Sequence, residues 1–173
     1  MHDLILGGAR SGKSALAEAR AAASGLAVTY IATAQALDAE MAARIDHHRA
    51  RRPPQRQCVE EPLALAATLR AHAGVGRCLV VDCLTLWLGN LLGDSDGEHF
   101  ARERDALLRT LPALPGRVIL VSNEVGQGIV PLGALSRRFV DEAGWLHQAL
   151  AQQCAHVALV VAGLPLWLKG GAA

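Results

Sequence analysis

The chain reads as an α/β protein whose mostly parallel sheet carries helices on both faces, and three observations carry that reading. Five short apolar runs, at residues 3–6, 27–32, 78–82, 117–122 and 156–162, alternate with longer amphipathic stretches. Each run is apolar through its length rather than alternating, as expected of strands covered on both sides. The residues between successive runs suffice for crossover helices, the doubly wound pattern.

The elements follow in order. The strand at 3–6 leads into Gly7-Gly8-Ala9-Arg10-Ser11-Gly12-Lys13-Ser14, and a helix is predicted over 13–23. After Gly25 comes the second strand, then helices over 36–51 and 63–73, separated by the Pro53-Pro54 pair. Glycines at 74 and 76 precede the third strand, and helices over 84–92 and 98–111 flank a polar, Gly-rich break at 93–97. Residues 112–116 turn the chain into the fourth strand, and a long helix over 135–154 leads to the fifth.

Residues 7–14 form a complete phosphate-binding loop, set between a strand and a helix as that motif requires. The glycines let backbone N–H groups turn inward around phosphates, and the helix N-terminus adds its partial positive charge. Lys13 is expected to reach the β and γ phosphates and the Ser14 hydroxyl to ligate Mg²⁺. The fold class is therefore phosphate-loop NTPase-like, RecA-like in its layering.

Composition narrows the partners. With 173 residues, 51% of them apolar, one domain spanning 1–173 with a sizeable core is expected. A net charge of +1 and only two lysines, Lys13 and Lys169, leave no broad basic field for nucleic acid or an anionic membrane. No apolar run is long enough to span a bilayer and no leader segment is read at the start, so a cytoplasmic protein is expected. The four cysteines, Cys58, Cys78, Cys83 and Cys154, show no zinc spacing, and Cys78 and Cys154 read as small buried apolar residues.

In an open parallel sheet the ligand lies beyond the carboxyl ends of the strands. That rule nominates the phosphate loop, Thr33-Ala34-Gln35, Asp82 and Asn123-Glu124. Asp82 ends an apolar strand, where such proteins carry a Mg²⁺ carboxylate; the plainer reading is a cap for the next helix. Asn123 and Glu124 either orient an acceptor or fix the turn. A second group, Arg44, His47, His48, Arg49, Arg51, Arg52 and Arg56, is the chain's dense arginine cluster. A solvated basic helix end explains it on spacing alone; the other reading is a phosphate clamp around a nucleophilic imidazole.

Several blocks, taken together and in order, resemble one family. GGARSGKS at 7–14, YIATAQ at 30–35, DAEMAARIDHH at 38–48, VEE at 59–61, DCLT at 82–85 and SNEVGQGIVP at 122–131 look like the bifunctional adenosylcobinamide kinase / adenosylcobinamide-phosphate guanylyltransferase of cobalamin biosynthesis. The resemblance runs almost end to end. It implies that ATP or GTP phosphorylates adenosylcobinamide, and that GTP then gives GMP to adenosylcobinamide phosphate through a guanylyl-histidine. By position in the histidine pair, the implied nucleophile is His47. The resemblance also implies nucleotide contacts from Ala32, Thr33 and Ala34, and from His48, Arg49, Ala50 and Arg51, with Glu60 and Asp82 completing a guanine or metal site. It further implies a homo-oligomer, a trimer. One departure is Arg56-Gln57-Cys58, where members commonly carry Trp-Arg-Thr. Two other classes are a plain phosphate-loop small-molecule kinase and a guanine-nucleotide switch; the second lacks its Asn-Lys-x-Asp motif here.

Overall fold

The computed structural model describes residues 1–35, 57–94 and 98–171. Its strands are β1 (His2–Gly7), β2 (Ala27–Ala32), β3 (Gln57–Glu60), β4 (Arg77–Asp82), β5 (Arg117–Asn123), β6 (His156–Val161) and β7 (Leu164–Lys169). Among the described residues the helices are α1 (Lys13–Ala23), α2 (Leu65–His72), α3 (Leu84–Leu92), α4 (His99–Thr110) and α5 (Ala134–Gln153), with a 3₁₀ turn at Leu111–Ala113. The strands form one sheet in the order β3-β2-β4-β5-β1-β6-β7, parallel except for the antiparallel β6–β7 pair. The expected helix over 36–51 lies outside the described residues.

Side chains alternate across the sheet and divide the core in two. Leu4, Leu6, Leu79, Val81, Val118 and Leu120 face α2 to α5. Ile5, Val80, Ile119 and Val121 face Ala17 and Ala21 of α1. Both faces of the central strands are thus dry, which is why their sequences read as continuous apolar runs. The long helix α5 and the fully buried Trp87 of α3 close the larger layer, and the Trp87 indole N–H donates to the Leu63 carbonyl at 2.7 Å.

The two outer strands went unpredicted, and each for a physical reason. β3 is four mostly exposed residues, Gln-Cys-Val-Glu, at a sheet edge. β7 contains Pro165, which an edge strand tolerates because one side of its backbone has no ladder partner. A two-residue turn, Ala162-Gly163, joins β6 to β7 with positive φ at both residues (51° and 81°), the geometry of a tight hairpin. The expected fifth strand at 156–162 therefore stops one residue short. Cys78, Cys83 and Cys154 are buried and Cys58 is exposed; burial pushes the Cys154 thiol up to about 12. No helix among the described residues is long and apolar enough to cross a membrane.

Candidate active site at the carboxyl edge of the sheet

The strand register lines up the nominated residues along one edge. Gly7 pairs with Asn123, Ala32 with both Glu60 and Asp82, and Asp82 with Val121. Phosphate loop, Ala32, Glu60, Asp82 and Asn123-Glu124 therefore emerge from five strands on one side of the molecule. Strand β5 lies between β1 and β4, so Asp82 stands two strand spacings across the sheet and two residues short along it from Gly7, about 12 Å away.

The loop is shaped by glycine and by the β6–β7 turn. A Cβ on Gly7 would approach the Val160 carbonyl to 2.7 Å, and one on Gly12 would meet Gly163 Cα at 3.0 Å. Gly12 has φ +98° and Arg10 φ +55°, so the chain passes through the left-handed region twice in three residues. The Ser11 N–H donates to the Gly8 carbonyl (3.3 Å), and the Ser11 carbonyl accepts from the Gly163 N–H (2.8 Å). The hairpin turn thus props the loop from behind. Gly8, Ala9 and Arg10 are exposed, Ser11 and Ser14 half-buried, and Lys13 buried, its Nζ donating to the Gly8 carbonyl at 3.0 Å. Ser11 Oγ is buried with no hydrogen-bond partner. Helix α1 starts directly after Gly12, with no side-chain cap and no acidic residue in its first turn. Its first N–H groups point where an anion would sit.

At the neighbouring exits the polar groups hold one another. Thr33 is fully buried; its hydroxyl donates to the Cys83 carbonyl (2.7 Å) and accepts from the Cys83 N–H (3.0 Å). Its carbonyl accepts from Asn90 Nδ2 (2.8 Å), which also donates to the Pro62 carbonyl (3.0 Å). Thr33 therefore fixes the Asp82–Cys83 exit. Glu61 is spent on helix α2, accepting from the Leu63 and Ala64 N–H groups at 2.9 and 2.7 Å. Glu60 is exposed, and Ala32, Ala34 and Asp82 are half-buried at the same edge. No side-chain cap is made at the start of α3, whose N-cap is Cys83. Burial and the Asp82 carboxylate push the Cys83 thiol up, so it stays protonated.

Beyond β5, Asn123 is engaged: its N–H and Nδ2 both donate to Thr85 Oγ1, at 3.3 and 3.0 Å. The Glu124 N–H donates to the Gly7 carbonyl at 3.0 Å, and Glu124 Oε1 accepts from the Gly126 N–H at 2.6 Å. Sequence reasoning missed the groups behind it. His147 of α5 lies with Nδ1 4.0 Å from Glu124 Oε2 and Nε2 2.7 Å from Ser122 Oγ. Burial pushes this imidazole down against the pull of Glu124, keeping it neutral near neutral pH.

Mg²⁺ bound with a triphosphate takes most of its ligands from phosphate and water, with one or two protein oxygens. No cluster of three His, Cys, Asp or Glu occurs among the described residues. Ser14 and Asp82, at the loop and two strands away, are oxygens of the right kind. His47, His48, Arg49, Ala50, Arg51 and the rest of the arginine cluster lie outside the described residues.

Known proteins resemble this chain over almost its whole length. A family model described as cobinamide kinase / cobinamide phosphate guanyltransferase matches residues 3–168. The bifunctional adenosylcobalamin biosynthesis protein CobP of Pseudomonas aeruginosa is 68% identical over 170 residues, covering 98% of each chain. The corresponding CobU of Escherichia coli is 41% identical, over 96% of this chain and 98% of its own. Among solved structures, a type III secretion system ATPase of pathogenic bacteria superposes with a TM-score of 0.55 at 10% identity. That match covers 96% of this chain and 56% of the ATPase. A Pyrococcus horikoshii OT3 protein gives 0.54 at 9% identity, over 99% of this chain and 87% of its own. These two establish the fold alone, a mostly parallel NTPase-like α/β sheet.

Proposed function

The chain belongs to the cobinamide kinase / cobinamide phosphate guanyltransferase family and is an enzyme of it, and from that premise we propose how its residues divide the work. In the first step Lys13 and the loop amides stabilise the charge of a γ-phosphoryl group, from ATP or GTP, as it passes to adenosylcobinamide; Ser14 and Asp82 would hold Mg²⁺, which would supply further charge neutralisation there. In the second step His47 attacks the α-phosphorus of GTP, forming guanylyl-histidine with loss of pyrophosphate. GMP then passes to adenosylcobinamide phosphate, giving adenosyl-GDP-cobinamide. A neutral imidazole is a competent nucleophile near pH 7 and a good leaving group from the phosphoramidate.

The observation that carries this reading is the alignment of the loop, Ala32, Glu60 and Asp82 along one edge by strand register. A nucleotide whose phosphates lie in the loop then runs along the exits of β4 and β2 towards Ala34 and Glu60. His48, Arg49, Ala50 and Arg51 complete its binding, with the arginines neutralising the triphosphate during attack. We assign the whole chain to one domain working in the cytoplasm. Exposed Leu164, Leu166 and Leu168 on β7 and Trp145 on α5 favour a homo-oligomer, a trimer by family resemblance.

The test is covalent labelling. Incubated with Mg²⁺ and α-labelled GTP, the protein should retain acid-labile, alkali-stable label after denaturation, and none from γ-labelled GTP. His47→Ala should abolish it. Binding of nucleotide without retained α-label would leave a plain phosphate-loop kinase.

A further inference from the structure

The phosphoryl-transfer step above leaves the acceptor hydroxyl without a partner, and one carboxylate beside the loop is placed to take that part. We propose that Glu124 receives and orients the hydroxyl of the acceptor, with His147 as its positioning residue. This rests on the kinase reading, since it names a further residue of the same site.

Position is the first argument. An acceptor must bring its oxygen to about 3–3.5 Å from the γ-phosphorus, opposite the departing diphosphate. Only two strands flank β1, and their exits border the loop. On one side β6 leaves through Val161, Ala162 and Gly163, none of which carries a proton acceptor on its side chain. On the other, β5 leaves through Asn123, tied to Thr85, and Glu124, whose N–H is fixed to the Gly7 carbonyl.

The second argument is how the carboxylate is held. Oε1 fixes the local turn through the Gly126 N–H, which is all that a turn-forming role requires. Oε2 faces His147, whose other nitrogen meets the buried Ser122 hydroxyl. The carboxylate favours the tautomer with the proton on Nδ1, so we assign Ser122 as donor to Nε2 and Nδ1–H as the group facing Oε2. At 4.0 Å this is a charge–dipole contact rather than a hydrogen bond, and it favours the placing of Oε2, the oxygen that the turn does not use, on the His147 side. The Glu124 side chain is 23% exposed, so a substrate can reach it. A cavity of about 130 Å³, lined by Val125, Gly126, Ile129, Val130, Arg137 and Asp141 among others, begins at the next residue. It has room for a short hydroxyl-bearing arm rather than for a macrocycle.

The step balances as follows. A lone pair of the acceptor oxygen forms the new bond to the γ-phosphorus. The bond from phosphorus to the β–γ bridging oxygen breaks, and its electrons leave on the nucleoside diphosphate. The hydroxyl proton passes to Glu124 Oε2 and then to solvent, while His147 keeps its own.

Glu124→Gln preserves the acceptor for Gly126 and removes only the basic oxygen. In the full-length protein with Mg²⁺, γ-labelled ATP and adenosylcobinamide, it should lower kcat by about 100-fold while leaving the nucleotide KM within about threefold. Glu124→Asp should recover part of the rate. His147→Ala should lower kcat about tenfold and His147→Asn, which keeps a donor, less. Guanylyl transfer to acceptor that is already phosphorylated should be unchanged in all four. Kinase turnover within twofold of the parent in Glu124→Gln, or equal loss of both half-reactions, would overturn the inference. The two readings fail differently: if Lys13→Ala abolishes phosphoryl transfer and Glu124→Gln does not, only this inference falls. If the parent transfers no γ-phosphoryl group, both fall.

Discussion

The two ends of the same sheet use the same kinds of residue to opposite ends. At the amino edge, Asp3 is buried, and its carboxylate accepts from Arg20 Nε (2.8 Å) and Arg117 Nη2 (2.6 Å) and lies 3.0 Å from His156 Nδ1. Trp167 covers the group, its ring 4.8 Å from the Arg20 guanidinium carbon. There two guanidiniums share one buried carboxylate, although Arg20 Nη2 and Arg117 Nε are buried without a hydrogen-bond partner. At the carboxyl edge, Lys13 meets only a neutral carbonyl of its own loop in the described structure, Ser11 Oγ has no partner, and the N-terminus of α1 has no acidic cap. At the amino edge the cations are thus turned inward on an acidic partner of the fold itself. An edge that leaves a loop lysine and a helix N-terminus without an acidic partner is open to an anion, and this difference separates the two ends more clearly than the presence of charged residues does.

Breaking each end should therefore give opposite signatures. Lys13→Ala should reduce phosphoryl transfer by 10²–10³-fold or more, the scale for deleting one group that stabilises transition-state charge. Its thermal midpoint should hardly move, because the Nζ contact to Gly8 is replaceable by water. Asp3→Ala strands Arg20, which is about nine-tenths buried, and should cost about 3–5 kcal/mol in urea unfolding. Below its melting temperature this variant should keep a parental nucleotide KM. If Asp3→Ala instead lost activity with its stability intact, the amino edge would not be purely structural.

The same contrast explains what could be read from the sequence. The phosphate loop and Asp82 were legible because each is local: eight contiguous residues between strand and helix, or the last residue of an apolar run. Five strands were legible because both their faces are buried. The outer strands were not, since a polar edge strand such as β3 or a proline-containing one such as β7 lacks that pattern. What holds the site was hidden for another reason. Thr33 meets Cys83 across 50 residues, Asn90 meets Thr33 across 57 and His147 meets Ser122 across 25. Such pairs follow from topology, and no local spacing encodes them. The two residues left open between orienting an acceptor and fixing the turn are held unequally: Asn123 is spent on Thr85, whereas Glu124 gives only one oxygen to the turn.

A milder perturbation tests whether the hairpin behind the loop matters. Gly163 has φ +81° with open space around its would-be Cβ, so Gly163→Ala adds backbone strain and little else, roughly 1–2 kcal/mol. Because the Gly163 N–H holds the Ser11 carbonyl, part of that strain should appear as a several-fold weaker nucleotide KM. Gly25→Ala, also at positive φ in open space but in the turn after α1, should cost comparable stability and leave KM alone. Equal KM values in the two variants would remove the hairpin from the account of the site.

The smallest effect is on pH, and it distinguishes the ends in sequence. Burial pushes His147 at the carboxyl edge below 6.5; at the amino edge, burial and then the N-terminal ammonium push His2 below 6.5. The unfolded chain therefore takes up these protons first as pH falls, and stability should decline from about pH 6.5 downward. Asp3 behaves differently: burial raises its pKa, but the hydrogen bonds and charges of Arg20 and Arg117 outweigh this and hold it below 3.8. Its contribution is complete above that value and is lost as pH falls further, through the folded pKa. Urea unfolding from about pH 7.5 to 3 should thus show two successive losses, the first shallow and reduced in His147→Asn, the second absent in Asp3→Asn. Stability that rose as pH fell from about 7.5 to 5.5 in the parent but not in His147→Asn would mean that His147 gains a proton on folding, and the neutral imidazole assigned behind Glu124 would have to be given up.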